Sequence, residues 1–267
     1  MQWWCSAVGV DWTWAWRAYP GVWLFVLGVV VGARAIAGRN AWREATAGER
    51  AAIVGGVLLL WASLDWPLGP IAAGYLVSAH ALQFLIETML AAPLILYALR
   101  ASFGRRVEAR GARPLPGAVR ALFHPLIAVV LFNVIVAVTH VPSVVDALMP
   151  SGGGAFLVDS AWFFSGIVFW WPVIMPAPRY AHFGVPMKIL YLLIGTLFHT
   201  VIGMVLLSAE TPIYGIYELA PPILPVPPRA DQQLGGGIME IGVFFAIVVG
   251  SGILFFRWAA RDEQRAR

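Results

Sequence analysis

The sequence predicts an all-α, polytopic membrane helix bundle of about seven transmembrane helices, with the N-terminus outside and the C-terminus in the cytoplasm. Three observations lead there. Of 267 residues, 60% are hydrophobic and only 12% are charged, about half the charge that dresses a soluble domain. A buried soluble core does not account for that deficit, because most residues of a soluble chain still lie near its surface. Apolar runs near the ~20 residues needed to cross hydrocarbon recur along the chain. The arginines between those runs fall on one side at every crossing.

The first predicted helix runs Tyr19–Ala37 and the second Ala51–Leu64, ending at Asp65–Trp66–Pro67 and short of clean apolar length. The third is long, Pro70–Leu99, with a kink expected at Pro93. The fourth spans Val119–Val141, the fifth Val158–Pro176, the sixth Pro186–Ser208 and the seventh Gln233–Ala259. Together they make one transmembrane domain over residues 1–267. An aromatic interfacial segment (1–18) precedes it, with Trp3, Trp4, Trp12, Trp14 and Trp16 at headgroup depth, and a cytoplasmic tail (259–267) follows. That first stretch lacks the basic n-region of a cleavable signal peptide. The loop Pro150–Gly154 reads as mobile, and the proline-rich loop Glu210–Gln233 as stiff and extended.

Orientation follows from the basic residues. One side holds Arg34, Arg39, Arg43 and Arg50, then Arg100, Arg105, Arg106, Arg110, Arg113 and Arg120. Arg179, Lys188, Arg257, Arg261, Arg265 and Arg267 continue the series, whereas the opposite side has only Arg17 and Arg229. A net charge of +4 carried between apolar runs points to the lipid bilayer of a bacterial inner membrane and not to nucleic acid. The single cysteine, Cys5, excludes an internal disulfide framework and a Cys-based zinc cluster.

A polar side chain in hydrocarbon needs a reason. On the third helix His80, Gln83 and Glu87 share one face. Asn133 and His140 do so on the fourth, and Gly195, His199 and Gly203 on the sixth, where glycines permit close helix approach. The seventh opens with Asp231, Gln232 and Gln233, then Met239 and Glu240. Counting along the helices puts His80, His140, His199, Asp231 and Glu240 toward the outer side, while His124 and His182 fall on the cytoplasmic side. Imidazole ligates copper, iron and zinc, and thioether sulfur selects Cu(I), so Met149, Met204 and Met239 are within reach of such a site. Each histidine could instead simply bond between helices. Glu87 lies deeper, as a proton acceptor or as a protonated carboxyl bonded across helices. Trp170 and Trp171 before Pro172 read as an interfacial belt and a helix stop.

With these residues the sequence resembles the multi-span CtaG family of cytochrome c oxidase assembly factors, distinct from the single-span copper chaperone. The likeness covers Trp61 to Phe256. It rests on SAHALQFLIETMLAAPL, THVP, FWWPV, SAETPIYGIYE and DQQLGGGIME, in that order and spacing. The resemblance implies a non-enzymatic factor that binds copper transiently on the outer side, as Cu(I), and assists its insertion into a haem–copper oxidase. It implicates His80, His140, Asp231 and Gln232, and by depth His199, with Gln83, Glu87, Met239 and Glu240 in support. One departure stands out: where the family pattern places a second histidine four residues after the first, this chain has Phe84. Its partners would be oxidase subunits or their assembly intermediates.

Two other readings stay open. A metal-free structural subunit or scaffold of a respiratory complex is favoured by Phe84. A b-type cytochrome with His80 and His199 as axial ligands is disfavoured, because neither helix carries a partner histidine for a second haem. A retinal protein is excluded, since the only lysine is Lys188.

Overall fold

The computed structural model of the protein describes residues 2–38, 40–109, 117–175 and 183–266. Every regular element among them is helical. Arg39, Arg110, Arg113, Pro176, Arg179, His182 and Arg267 lie outside the described residues, as do the side chains of Arg106, Arg120 and Arg265.

Helix α1 (Pro20–Ala37) starts on a proline, whose missing N–H costs nothing in a first turn. After the single turn α2 (Ala41–Glu44), α3 (Ala47–Leu64) reaches 18 residues. The span that looked short gains a turn from a capping box. Thr46 Oγ1 accepts from Glu49 N at 3.2 Å, and Glu49 Oε2 accepts from Thr46 N at 3.0 Å.

The predicted third helix is divided. A short α4 (Leu68–Gly74) stops at Tyr75, Leu76 is extended, and α5 (Val77–Leu85) begins afresh. A π-helical turn (Ile86–Ala91) then leads into α6 (Ala92–Ala109). The wide turn comes just before Pro93, where proline lacks a hydrogen for the α-helical ladder.

The predicted fourth helix is divided before Pro125 into α7 (Gly117–Leu122) and α8 (Pro125–Thr139), and a further helix, α9 (Pro142–Leu148), starts on a proline just beyond its predicted end. The last two meet at 74°, so His140 stands at a corner and not within a helix. Helix α10 (Gly152–Ile174) begins in the glycine run that had read as a mobile loop. Ser151 Oγ accepts from Gly154 N at 2.9 Å, and a Cβ on Gly154 would stand 2.2 Å from the Leu148 carbonyl oxygen.

Helices α11 (Val185–Gly195) and α12 (Leu197–Ser208) form one apolar stretch offset at Thr196. The glycine stripe does allow close approach: a Cβ on Gly195 would lie 2.4 Å from the Phe169 ring. The proline-rich loop is less extended than expected. It contains α13 (Gly215–Glu218), and α14 (Pro228–Ala266) already includes Asp231 and Gln232.

Among the described residues, six helices are long and apolar enough to cross a membrane, and the bent α8–α9 pair makes up to seven. One end of the bundle gathers the N-terminal strap, the Asp65–Leu76 connection, the α8–α9 corner and the loop before α14. Ala7 N donates to Met149 O at 3.0 Å, Tyr75 Oη to Val10 O at 2.8 Å and Tyr217 Oη to Ala72 O at 2.7 Å. At the other end Arg105 pairs with Glu44 at 2.8 Å. The described connections therefore lie at two opposite ends of the bundle, as crossing helices require.

Two tryptophan assignments need correction. Trp3, Trp14 and Trp16 are exposed, but Trp4 is only 1% exposed and inserts among Phe25 and Phe156. Trp170 is likewise buried and hydrogen-bonded inside the bundle, whereas Trp171 stacks on Phe123 with ring centroids 3.9 Å apart.

Candidate metal centre and the buried polar core

Asp231 decides where α5 starts. Its Oδ2 accepts from Val77 N at 2.6 Å, and its Oδ1 accepts a short hydrogen bond from Ser78 Oγ. The first N–H groups of a helix have no partner within it, and a carboxylate there completes them and favours the positive end of the helix dipole. Close packing makes this reach possible, since a Cβ on Gly235 would meet Val77 Cγ1 at 3.0 Å. Asp231 is therefore a cap that orients α5, with both oxygens engaged, and does not join the histidines as the sequence had implied.

One turn along α5, His80 faces into the bundle. Its ring centroid lies 4.8 Å from Trp162 and 6.2 Å from His140. Phe84, wholly buried, comes next on the same face, 5.1 Å from His140 and 5.3 Å from His199. Phe132 closes the far side of His199 at 5.3 Å. The three histidines thus surround one phenylalanine, at the position where the resemblance led us to expect a histidine.

The imidazole nitrogens are nearly all unpaired. His140 Nδ1 lies 2.8 Å from the Val136 carbonyl, which assigns the proton to Nδ1 and leaves the Nε2 lone pair free. Trp162 Nε1 donates to Thr139 Oγ1 at 2.8 Å and holds the wall behind that ring. Five ring nitrogens have no hydrogen-bond partner among the described residues: both of His80, both of His199 and Nε2 of His140. The carbonyls of Ala72 and Thr196 lie near His80 and His199 without reaching hydrogen-bonding geometry. Buried polar atoms are normally satisfied, so a concentration of vacant nitrogens calls for a ligand or a cost in stability.

Even so, no group of three His, Cys, Asp or Glu side chains among the described residues is arranged to hold one metal ion. The His80 and His140 rings are neighbours at an interplanar angle of 62°, while Phe84 lies against both His140 and His199.

The remaining predicted residues have other partners. Gln83 Nε2 donates to Glu87 Oε1 and to Asp159 Oδ1, each at 3.1 Å. Asp159, on α10, was missed by the sequence reading, although it is the lone acid in the apolar run of that helix. Its Oδ2 accepts from Trp4 Nε1 at 2.7 Å. Gln232 pins the loop before α14, accepting from Ile213 N at 2.8 Å and turning its amide toward Leu206 O and Thr211 O, both at 3.4 Å. Glu240 lies against Gly203, where a Cβ would stand 2.3 Å from its Oε1, and is half-buried. Met149 and Met239 are buried, but Met204 points outward. Asn133 Nδ2 crosslinks α8 to α11 through Gly195 O at 3.0 Å. Cys5 donates to Leu64 O at 3.2 Å, and burial, with Asp159 and Asp65 nearby, pushes its thiol well above the ordinary range.

Comparison with known proteins agrees with this architecture. Residues 12–261 match the family Caa3_CtaG, described as cytochrome c oxidase caa3 assembly factor. No curated protein and no solved structure matches the chain. The match covers nearly the whole bundle, including every histidine discussed above, and the chain belongs to the cytochrome c oxidase caa3 assembly factor family.

Proposed function

We propose that this assembly factor is a non-enzymatic carrier that holds one Cu(I) ion transiently between His80 and His140 and passes it to a haem–copper oxidase under assembly. The observation that carries the reading is the neighbouring pair of imidazoles with vacant nitrogens. Two imidazoles that share one ion through metal–nitrogen bonds of about 2 Å have ring centres about 6 Å apart when the three atoms are in line. The observed separation is 6.2 Å. Few ligands and aromatic walls suit a soft ion that must leave again. His199, against the other side of the Phe84 ring, is a further buried donor near the pair.

The arginine pattern orients this end of the bundle to the outside of a bacterial inner membrane. A partner oxidase or its intermediates would meet the factor within that membrane. The metal-free scaffold is the second reading, favoured by Phe84 and by the lack of a preformed three-ligand group.

The test is oxidase copper content in cells carrying His80→Ala or His140→Ala. The carrier reading expects normal abundance of the factor with copper-deficient oxidase. Full copper in both variants at normal abundance would favour the scaffold.

A further inference from the structure

Glu87 and Asp159 form a second buried polar group, about two turns further along α5 and the π-helical turn than His80, or ~10 Å by helical rise. Glu87 is 0% exposed, Gln83 2% and Asp159 3%. No cation is paired with either acid: among the described residues the one ion pair is the exposed Arg105–Glu44. The other titratable groups that sense Asp159 are Cys5 and Tyr217, and both donate elsewhere, to Leu64 O and Ala72 O.

The hydrogen-bond inventory of this group leaves two acceptors without a donor. With both acids ionised, the acceptors are the four carboxylate oxygens and Gln83 Oε1. Gln83 supplies one N–H to Glu87 Oε1 and one to Asp159 Oδ1, and Trp4 supplies its indole N–H to Asp159 Oδ2. Two oxygens are left without a partner, Glu87 Oε2 and Gln83 Oε1. Both belong to groups that already share one hydrogen bond, so a hydroxyl on Glu87 Oε2 directed at Gln83 Oε1 would close a cyclic amide–acid pair. One proton would satisfy both atoms.

We propose that Glu87, Gln83 and Asp159 form an intramembrane proton-binding site, in which one proton sits on Glu87 Oε2 and is shared with Gln83 Oε1 while Asp159 keeps the negative charge. The asymmetry follows from the donors. Each oxygen of Asp159 accepts an N–H, and hydrogen bonds to a carboxylate favour its ionised form. Glu87 receives one N–H on one oxygen only. A single buried charge tied to an indole and an amide is also cheaper in hydrocarbon than two uncompensated ones. This site is independent of the histidine pair and does not require copper.

Infrared spectroscopy of the purified full-length protein at neutral pH tests it. The expected result is a protonated-carboxyl C=O band that is lost in Glu87→Gln and retained in Asp159→Asn. Thermal stability should follow the same split. Gln mimics a neutral Glu and keeps the melting temperature near that of wild type, whereas Asp159→Asn removes the charged acceptor of Trp4 and lowers it. Absence of the band in wild type, its survival in Glu87→Gln, or its loss in Asp159→Asn would overturn the assignment. If Glu87→Gln does not accumulate, Gln83→Leu serves instead: removing the carbonyl acceptor should shift the band to higher frequency, and an unmoved band would contradict the cyclic pair.

Discussion

Trp170 Nε1 donates to the backbone carbonyl of Thr88 at 3.0 Å, joining α10 to the π-helical turn. That carbonyl has no ladder donor of its own. Ala92 N bonds to Glu87 O, and the next residue, Pro93, has no N–H. In hydrocarbon no water can complete the count, so the indole does. A tryptophan that had read as part of an interfacial belt is the repair for a proline-induced gap in the neighbouring helix.

Replacing it should therefore destabilise the bundle without touching the histidines. Trp170→Phe keeps the ring but strands the Thr88 carbonyl, at an expected cost of about 1–2 kcal/mol. Denaturation in detergent, followed by circular dichroism, would show a lowered midpoint. An unchanged midpoint would mean that the carbonyl finds another partner.

Asp231 makes a complementary case. As the cap of α5 it should matter for stability and not for ligation, so Asp231→Ala should cost about 1–2 kcal/mol while copper stoichiometry is preserved. Folded Asp231→Ala protein that binds no copper would return Asp231 to the ligand set.

The proposed orientation can be probed with single cysteines on a Cys5→Ser background. Leu219→Cys, at a position 85% exposed in the loop before α14, should react with a membrane-impermeant maleimide in cells with a permeabilised outer envelope. Glu108→Cys, near the arginine-rich end of α6, should be protected until the inner membrane is opened. Labelling of position 108 from outside would reverse the topology.

Phe84 supplies a gain-of-function probe. Its ring lies between His140 and His199, so Phe84→His would place a third imidazole beside the pair. Cu(I) affinity measured by chelator competition should rise about tenfold, equivalent to ~1.4 kcal/mol. No change would mean that the ring at position 84 does not face the ion.

Much of this was legible in the sequence, and the reasons differ from element to element. Composition and the lengths of the apolar runs sufficed for the bundle, because hydrocarbon thickness sets span length directly. The helical rise likewise put His80, His140 and His199 at one level. Azimuth was harder. Depth alone placed Asp231 beside the histidines, whereas its carboxylate is held by Val77 and Ser78. The break at Tyr75–Leu76 was hidden for the same reason, since the groups that complete it come from α14, far along the chain. The extra turn of α3 was readable in Thr46–Glu49, a capping-box spacing that went unused. Asp159 was equally visible as a lone acid in an apolar helix, but its partners, Trp4 and Gln83, come from distant segments that only tertiary packing brings together.

X-ray absorption spectroscopy of the purified protein loaded with one equivalent of Cu(I) tests the two-histidine carrier most directly. The account predicts two nitrogen neighbours near 2 Å with the outer-shell scattering of imidazole, a pre-edge feature typical of linear coordination, and loss of the bound ion in both His80→Ala and His140→Ala. A sulfur neighbour, a third or fourth nitrogen, or no retained copper in the wild-type protein would contradict it.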